Sequence, residues 1–250
     1  MTHEITFRMT RYSICILALL LAPLATGCRD ARFGPSFEGD VDLVDFTRSS
    51  STVPADGESF VVLTARVPRE SRRAPSSVTF ITDAGTFVGS QKQEFVAPVD
   101  STGLAVVQLK SPVDPTLATV RAFAGQSALV DTIRFIRTYP DTILVDVSKL
   151  SMLNTETMSI SARVRTATGT APSKGAQVRF QVFDVEDMPI GLLGAPTLTD
   201  ANGIATVSFC PCRVPTYEGR VFIRAKTLKA SGDSVSGTAI VLVTKPTGND

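Results

Sequence analysis

The 250-residue chain carries 25 Lys+Arg against 24 Asp+Glu, a balance that leaves no basic block able to grip nucleic acid. It has no Trp, and its single His is His3. Without His beyond that point, the chain lacks the commonest general base and the commonest transition-metal ligand, which removes most hydrolase and metalloenzyme designs and leaves only carboxylate or Ser chemistry open.

The first element is an export signal over residues 1–27. Arg8 and Arg11 give a positive n-region, and Ile14 to Leu24 (ICILALLLAPL) an apolar h-region. That run is far shorter than the roughly 20 apolar residues that span a bilayer. Ala25-Thr26-Gly27 then leads small residues into Cys28. Removing residues 1–27 takes away Arg8, Arg11 and Glu4 and leaves the remainder with no formal net charge.

The ending at Cys28 resembles the lipobox of bacterial lipoproteins. In that family the signal is cut before the cysteine, which is diacylated and often acylated again at its new amino group. Ala25 stands here where the family usually has Leu, and Leu24 lies one place further off. The resemblance implies lipid attachment at Cys28 and a membrane partner reached through it. Two or three acyl chains would anchor stably where one holds only marginally, each buried CH₂ contributing about 0.8 kcal/mol. Arg29 follows Cys28. In enteric bacteria Asp at that place marks inner-membrane retention, so the resemblance points to the outer membrane. Residues 28–40, with Gly34, Pro35 and Gly39, read as a tether.

From residue 41 on, the chain reads as strands, and it reads twice. Asp100-Ser-Thr-Gly103-Leu-Ala105-Val-Val107-Gln-Leu109 matches Asp200-Ala-Asn-Gly203-Ile-Ala205-Thr-Val207-Ser-Phe209, displaced by 100 residues. Val78-Thr-Phe80 matches Val178-Arg-Phe180 at the same displacement, Ala65-Arg66-Val67 matches Ala162-Arg163-Val164 at 97, and Val120-Arg121-Ala122 matches Ile223-Arg224-Ala225 at 103. The matches keep their order, so the halves share one topology.

Within each half the period is two. Leu63, Ala65 and Val67 share a face; so do Ala105, Val107 and Leu109, and again Ala205, Val207 and Phe209. Turn residues punctuate the runs at Ala55-Asp56-Gly57, Asp83-Ala-Gly85, Ser101-Thr102-Gly103 and Ala201-Asn202-Gly203. No long helical spacing follows the signal. The fold class is therefore all-β: two tandem immunoglobulin-like sandwiches, over 41–137 and 138–245, with a C-terminal tail at 246–250. The short join at Arg137-Thr138-Tyr139-Pro140-Asp141 suggests a stiff end-to-end pair.

Val53-Pro54-Ala55-Asp56-Gly57, Leu63-Thr64-Ala65-Arg66-Val67, Val78-Thr79-Phe80-Ile81-Thr82, Gly85-Thr86-Phe87 and Asp100 to Val107, in that order, resemble the bacterial Ig-like group-one domain, the repeat of intimin and invasin stalks. The second half keeps Val178-Arg179-Phe180 and Thr199 to Val207 but lacks the Gly-Thr-Phe element, and is the more divergent member. The resemblance implies non-enzymatic spacer or adhesive modules at the cell surface. The translocator barrel of that family and the lectin-like tip of intimins have no counterpart here.

Three groups of residues bear on chemistry. Asp100 and Asp200 open the repeated turns that end in Gly103 and in Asn202-Gly203. They read as side-chain caps on hairpins, with end-of-sandwich calcium as the other reading. Asp184, Glu186 and Asp187 read as a solvated loop in preference to a carboxylate pair. Cys210-Pro211-Cys212 leaves open a disulfide in a turn, free thiols, or metal or redox work, with no third ligand nearby. No metal and no cofactor are expected. The function these readings support is a non-enzymatic envelope lipoprotein acting as a surface spacer, adhesin-like or protein-interaction module, with a protein partner in the envelope or on another cell. The alternative is a polysaccharide- or ligand-binding module of the outer membrane. With only Tyr139 and Tyr217 beyond the signal, and most Phe in strand patterns, its aromatic platform would be small.

Overall fold

The computed structural model describes residues 43–68, 75–190, 193, 195–214 and 216–246. The signal, Cys28, the tether and residues 247–250 lie outside the described residues.

Alternation of apolar and polar residues forces each strand to bury one face, and two sheets facing each other satisfy that demand. In the first half one sheet has the order β1 (Asp45–Arg48), β3 (Phe60–Arg66), β7 (Leu104–Lys110), β5 (Thr86–Phe87). The other has β2 (Thr52–Pro54), β9 (Ser127–Ile136), β8 (Thr116–Ala124), β4 (Ser77–Thr82), β6 (Glu94–Pro98). The second half repeats this with β10 (Thr142–Val147), β12 (Met158–Arg165) and β15 (Ile204–Phe209) in one sheet. Its second sheet has the order β11 (Ser151–Leu153), β17 (Ser234–Thr244), β16 (Gly219–Leu228), β13 (Gln177–Phe183), β14 (Thr197–Leu198).

In both halves the entering segment starts antiparallel in one sheet and then crosses to the other. β1 pairs with β3, and β2 then runs parallel to β9. β10 pairs with β12, and β11 runs parallel to β17. The crossing ties the two sheets of each half together along one edge.

The repeat holds to the register. Ala65 faces Ala105, and its counterpart Ala162 faces Ala205; Phe80 faces Ala122, and Phe180 faces Ala225. The sequence displacements of 97, 100 and 103 are thus loop-length changes between strands that keep their partners. The missing Gly-Thr-Phe element has a structural meaning. In the first half Thr86 and Phe87 form β5 against Lys110 and Leu109; among the described residues β15 has no such neighbour on that side.

Each half has its own apolar cluster. Leu63, Phe80, Phe87, Leu109 and Ile133 are fully buried in the first, and Ile160, Val164, Val221 and Ile223 in the second. Phe46, Phe80, Phe87 and Phe95 form a chain of tilted ring contacts with centroids 6.0–6.3 Å apart, which accounts for Phe as core in place of an exposed platform. The faces expected from period two are those observed: Ala105, Val107 and Leu109 are buried while Val106 is outward. The described residues of both halves fall in one compact unit. Their only helical segment is a 3-10 turn at Pro211–Arg213, and among the described residues no helix is long and apolar enough to cross a membrane.

The hairpin turns repeat atom by atom. Asp100 Oδ1 accepts from the backbone N–H of Thr102 and Leu104, at 2.7 and 2.9 Å. Asp200 Oδ1 accepts from Asn202 and Ile204, at 2.8 and 2.9 Å. The acidic loop is a third copy: Asp184 Oδ1 accepts from Glu186 and Met188, both at 2.8 Å. The left-handed residue is Gly103 (φ 80°) and Gly203 (φ 71°) in the first two turns, but Asp187 (φ 60°) in the third. A Cβ on Gly203 would lie 2.7 Å from the Val164 carbonyl oxygen. Gly203→Ala should therefore destabilise by more than about 1 kcal/mol, whereas Asp187→Gly should be neutral to stabilising by up to about 1 kcal/mol. Urea unfolding of the two variants checks the opposite signs.

Candidate functional site

The join between the halves gathers three of the described chain's buried polar residues, Asp56, Ser111 and Ser173. Ala55 follows β2, and its N–H is satisfied by the Ile136 carbonyl at 2.8 Å. Its own carbonyl points away from the sheet, toward the second half. A buried carbonyl left unpaired costs about 1–3 kcal/mol, and here the partner is Ser173, from the loop joining β12 to β13. Ser173 Oγ donates to Ala55 O at 2.7 Å and accepts from the Thr138 N–H at 2.9 Å, while the Ser173 N–H donates to Thr138 Oγ1 at 2.7 Å. Ser173 is fully buried. Next to it the Lys174 N–H reaches the Val113 carbonyl at 3.0 Å. One loop of the second half is thus bonded to two separate loops of the first and to the linker.

Asp56 underlies this joint. It is only 4% exposed. Oδ1 accepts from the backbone N–H of Glu58 (2.9 Å) and Ser59 (2.7 Å) and from Ser111 Oγ (3.1 Å), and Oδ2 from Ser59 Oγ (2.8 Å). Burial by itself pushes the carboxyl pKa up, but the hydrogen bonds from Ser59, Glu58 and Ser111 together outweigh it and hold the pKa below the ordinary 3.8. The following residue, Gly57, has φ 73°, and a Cβ there would lie 2.8 Å from Val113 Cγ1. That turn is therefore shaped by the approach of Val113.

The residues singled out in the sequence are dispersed. Asp100, Gly103, Asp200, Asn202 and Gly203 occupy hairpin turns, where the two carboxylates are engaged by backbone N–H groups. Asp184 is engaged likewise. No group of three or more His, Cys, Asp or Glu poised for a metal occurs among the described residues. Cys210 and Cys212 flank Pro211 at the 3-10 turn with Cα atoms 5.2 Å apart, within the span a disulfide bridges. Cys28 is outside the described residues. The two tyrosines part company. The Tyr217 hydroxyl donates to the Arg220 carbonyl at 2.7 Å, and burial, aided by the charge of Asp184, raises its pKa. Tyr139, in the linker, is 48% exposed.

Two concavities of about 490 and 670 Å³ flank the linker, and Tyr139 lines both. Ser173, Thr138 and Asp56 were not signalled as a unit by the sequence. Asp56-Gly57 reads as a turn, and nothing near Ala171-Pro172-Ser173 marks a residue that will be wholly enclosed.

No protein-family model and no curated protein sequence matches the chain. Solved structures do. The crystal structure of invasin, a bacterial integrin-binding protein, is 17% identical with a TM-score of 0.57, over 81% of this chain and 40% of its own. The adhesin InvE of Yersinia pseudotuberculosis is 18% identical with a TM-score of 0.45, over 81% of this chain and 61% of its own. InvD of the same organism is 20% identical with a TM-score of 0.39, over 84% and 58%. The chain spans less than two thirds of each of these three. The likeness to invasin is one of fold: the chain is built on the bacterial Ig-like sandwich.

Loss of the Asp56 carboxylate should loosen the joint. Asp56→Ala should cost about 2–4 kcal/mol at neutral pH, since it orphans donors in a closed site. Because the folded pKa is depressed, the Asp56 contribution is complete above the ordinary 3.8 and is lost as pH falls through the lower folded value. Chemical denaturation of wild type and Asp56→Asn between pH 7 and 2 should show the wild type losing its advantage only in that acid range.

Proposed function

We propose that this chain is a non-enzymatic lipoprotein of the bacterial outer membrane, anchored through lipid on Cys28, whose tandem Ig-like halves form a stiff spacer that presents a protein-interaction surface away from the membrane. Residues 41–137 and 138–245 are its two Ig-like domains, and residues 28–40 its tether. The observation that carries the reading is the Ser173 joint. The short linker limits swinging, and a buried hydroxyl bonded to both sides of the join adds to this by opposing bending. Stiffness is what a spacer requires.

The likeness to invasin's fold, and the naming of invasin as integrin-binding, support a role in protein contact; no partner carries over with it. The carboxylates of the described turns are occupied as caps, which supports a non-enzymatic reading. The partner is then a protein of the envelope or of another cell.

Cys28→Ser should abolish lipid attachment, so that the protein is released from membranes or accumulates with its signal uncut. Fractionation and intact-mass measurement read this directly; unchanged membrane retention with a normal mature mass sinks the anchor. Crosslinked pull-down from intact envelopes should recover one stoichiometric protein with the wild type, and less with Cys28→Ser.

The same reading places Cys210 and Cys212 in an oxidising compartment, where a disulfide forms across Pro211. The loop it closes is so short that the bond adds little stability. Alkylation of unfolded, unreduced protein from the envelope should leave both thiols unlabelled, and prior reduction should expose both with little change in melting temperature. Labelling without reductant contradicts the pairing.

A further inference from the structure

The outer face of the second half's larger sheet breaks a rule of cross-strand pairing. Arg179 on β13 stands directly opposite Lys226 on β16, and like charges so placed oppose pairing. Two residues along β16, on the same face, Arg224 lies across the Phe183 ring with its guanidinium carbon 5.2 Å from the centroid. The partners of these cations on β17 are hydroxyls: Ser236 faces Lys226 and Thr238 faces Arg224. Among the described residues none of Arg137, Arg179 or Lys226 has an ion pair.

These cations border the 490 Å³ concavity at the linker. Its lining includes Arg137, Tyr139, Gln177, Arg179, Lys226 and Ser234, and no Asp or Glu among its described residues. The carboxylates adjacent in sequence are engaged elsewhere: Asp141 with Lys229 at 2.9 Å, and Asp233 with Ser231 at 2.8 Å. A half-exposed phenol ring, three cations, an amide and a hydroxyl thus converge on a hollow of ligand size.

We propose that this concavity binds an acidic polysaccharide, with a sugar ring seated against Tyr139 and its carboxylates or phosphates held by Arg137, Arg179 and Lys226. The unfavourable Arg179–Lys226 opposition is relieved when an anion bridges the pair, which accounts for a placement that weakens the free sheet. A saccharide fits better than an acidic peptide. β13 pairs with β14 at Gln177 and Val178 and with β16 from Arg179 to Phe183, and the hydroxyls, amide and ring of the hollow suit a polyhydroxylated chain. The inference goes beyond the spacer role and stands independently of the Cys28 anchor.

The test is calorimetric titration of the full chain, purified in detergent, with polygalacturonate, and with neutral dextran and poly-glutamate in parallel. Polygalacturonate should bind and weaken by about tenfold or more as salt rises from low to high ionic strength, and dextran should not bind. The double variant Arg179→Gln/Lys226→Gln should lose about tenfold or more in affinity with a melting temperature unchanged or raised, because a repulsive pair is removed. Tyr139→Ala should weaken binding while leaving its salt dependence intact. Absence of polygalacturonate binding, equal binding of dextran, or full affinity in a folded double variant overturns the proposal. Poly-glutamate binding as tightly, through the same residues, overturns the saccharide assignment in favour of an acidic protein segment.

Discussion

A buried carbonyl must find a donor, and the Ala55 carbonyl finds it in the other half of the chain. Much of what is particular to this molecule follows from that bond. Ser173 can reach Ala55 only if the β12–β13 loop is seated against the end of the first half. The same hydroxyl accepts from Thr138, so the linker is held as well. A held linker places Arg137 and Tyr139 beside the edge of the β13–β16 face, and the concavity there exists because they are so placed. Asp56 keeps the Ala55 turn in shape from below by taking hydrogen bonds from Ser59, Glu58 and Ser111. Joint, hollow and cationic lining therefore form one mechanical unit.

The sequence is legible where physics is periodic. Strands that bury alternate residues announce their faces, and Ala105, Val107 and Leu109 lie inward as their spacing requires. Repetition does still better: Ala65 and Ala162 hold equivalent partners although the halves have drifted in loop length. The turn Asp residues were also legible, because an aspartate followed by Gly at the fourth position needs φ > 0 and supplies the acceptor for the turn's N–H groups. The Asp184 turn is hidden in the sequence because Asp187 stands in the glycine's place, so the acidic loop reads as a charge cluster. The joint was illegible for a different reason. Ser173 is an ordinary serine after a proline, and only the three-dimensional meeting of three distant segments gives it a role.

Comparison of the halves separates scaffold from specialisation. The backbone bond from Ala55 to Ile136 has its counterpart in Asn154 to Thr244, at 2.8 and 2.9 Å, so the crossing strand is tied in the same way twice. The side-chain network beside it is not repeated. Thr155 stands at the place of Asp56, and Pro211 at the place of Ser111. The carboxylate that organises the joint belongs to the first half alone, at the end where the second half docks. At the corresponding place in the second half the chain has Cys210-Pro211-Cys212 and a 3-10 turn.

The same contrast applies to the faces of the sheets. In the first half Phe80 opposes Ala122 and the outward Thr79 opposes Phe123; in the second, Phe180 opposes Ala225 in the same inward position, while the outward Arg179 opposes Lys226. The inward pair is preserved because both cores need one large and one small residue there to close at native density. The outward pair is free to vary, and it has varied toward a repulsive combination. A choice that local energetics disfavours, kept beside a hollow containing an exposed ring, is the kind of conflict between local and global preference that marks a surface shaped for something other than stability.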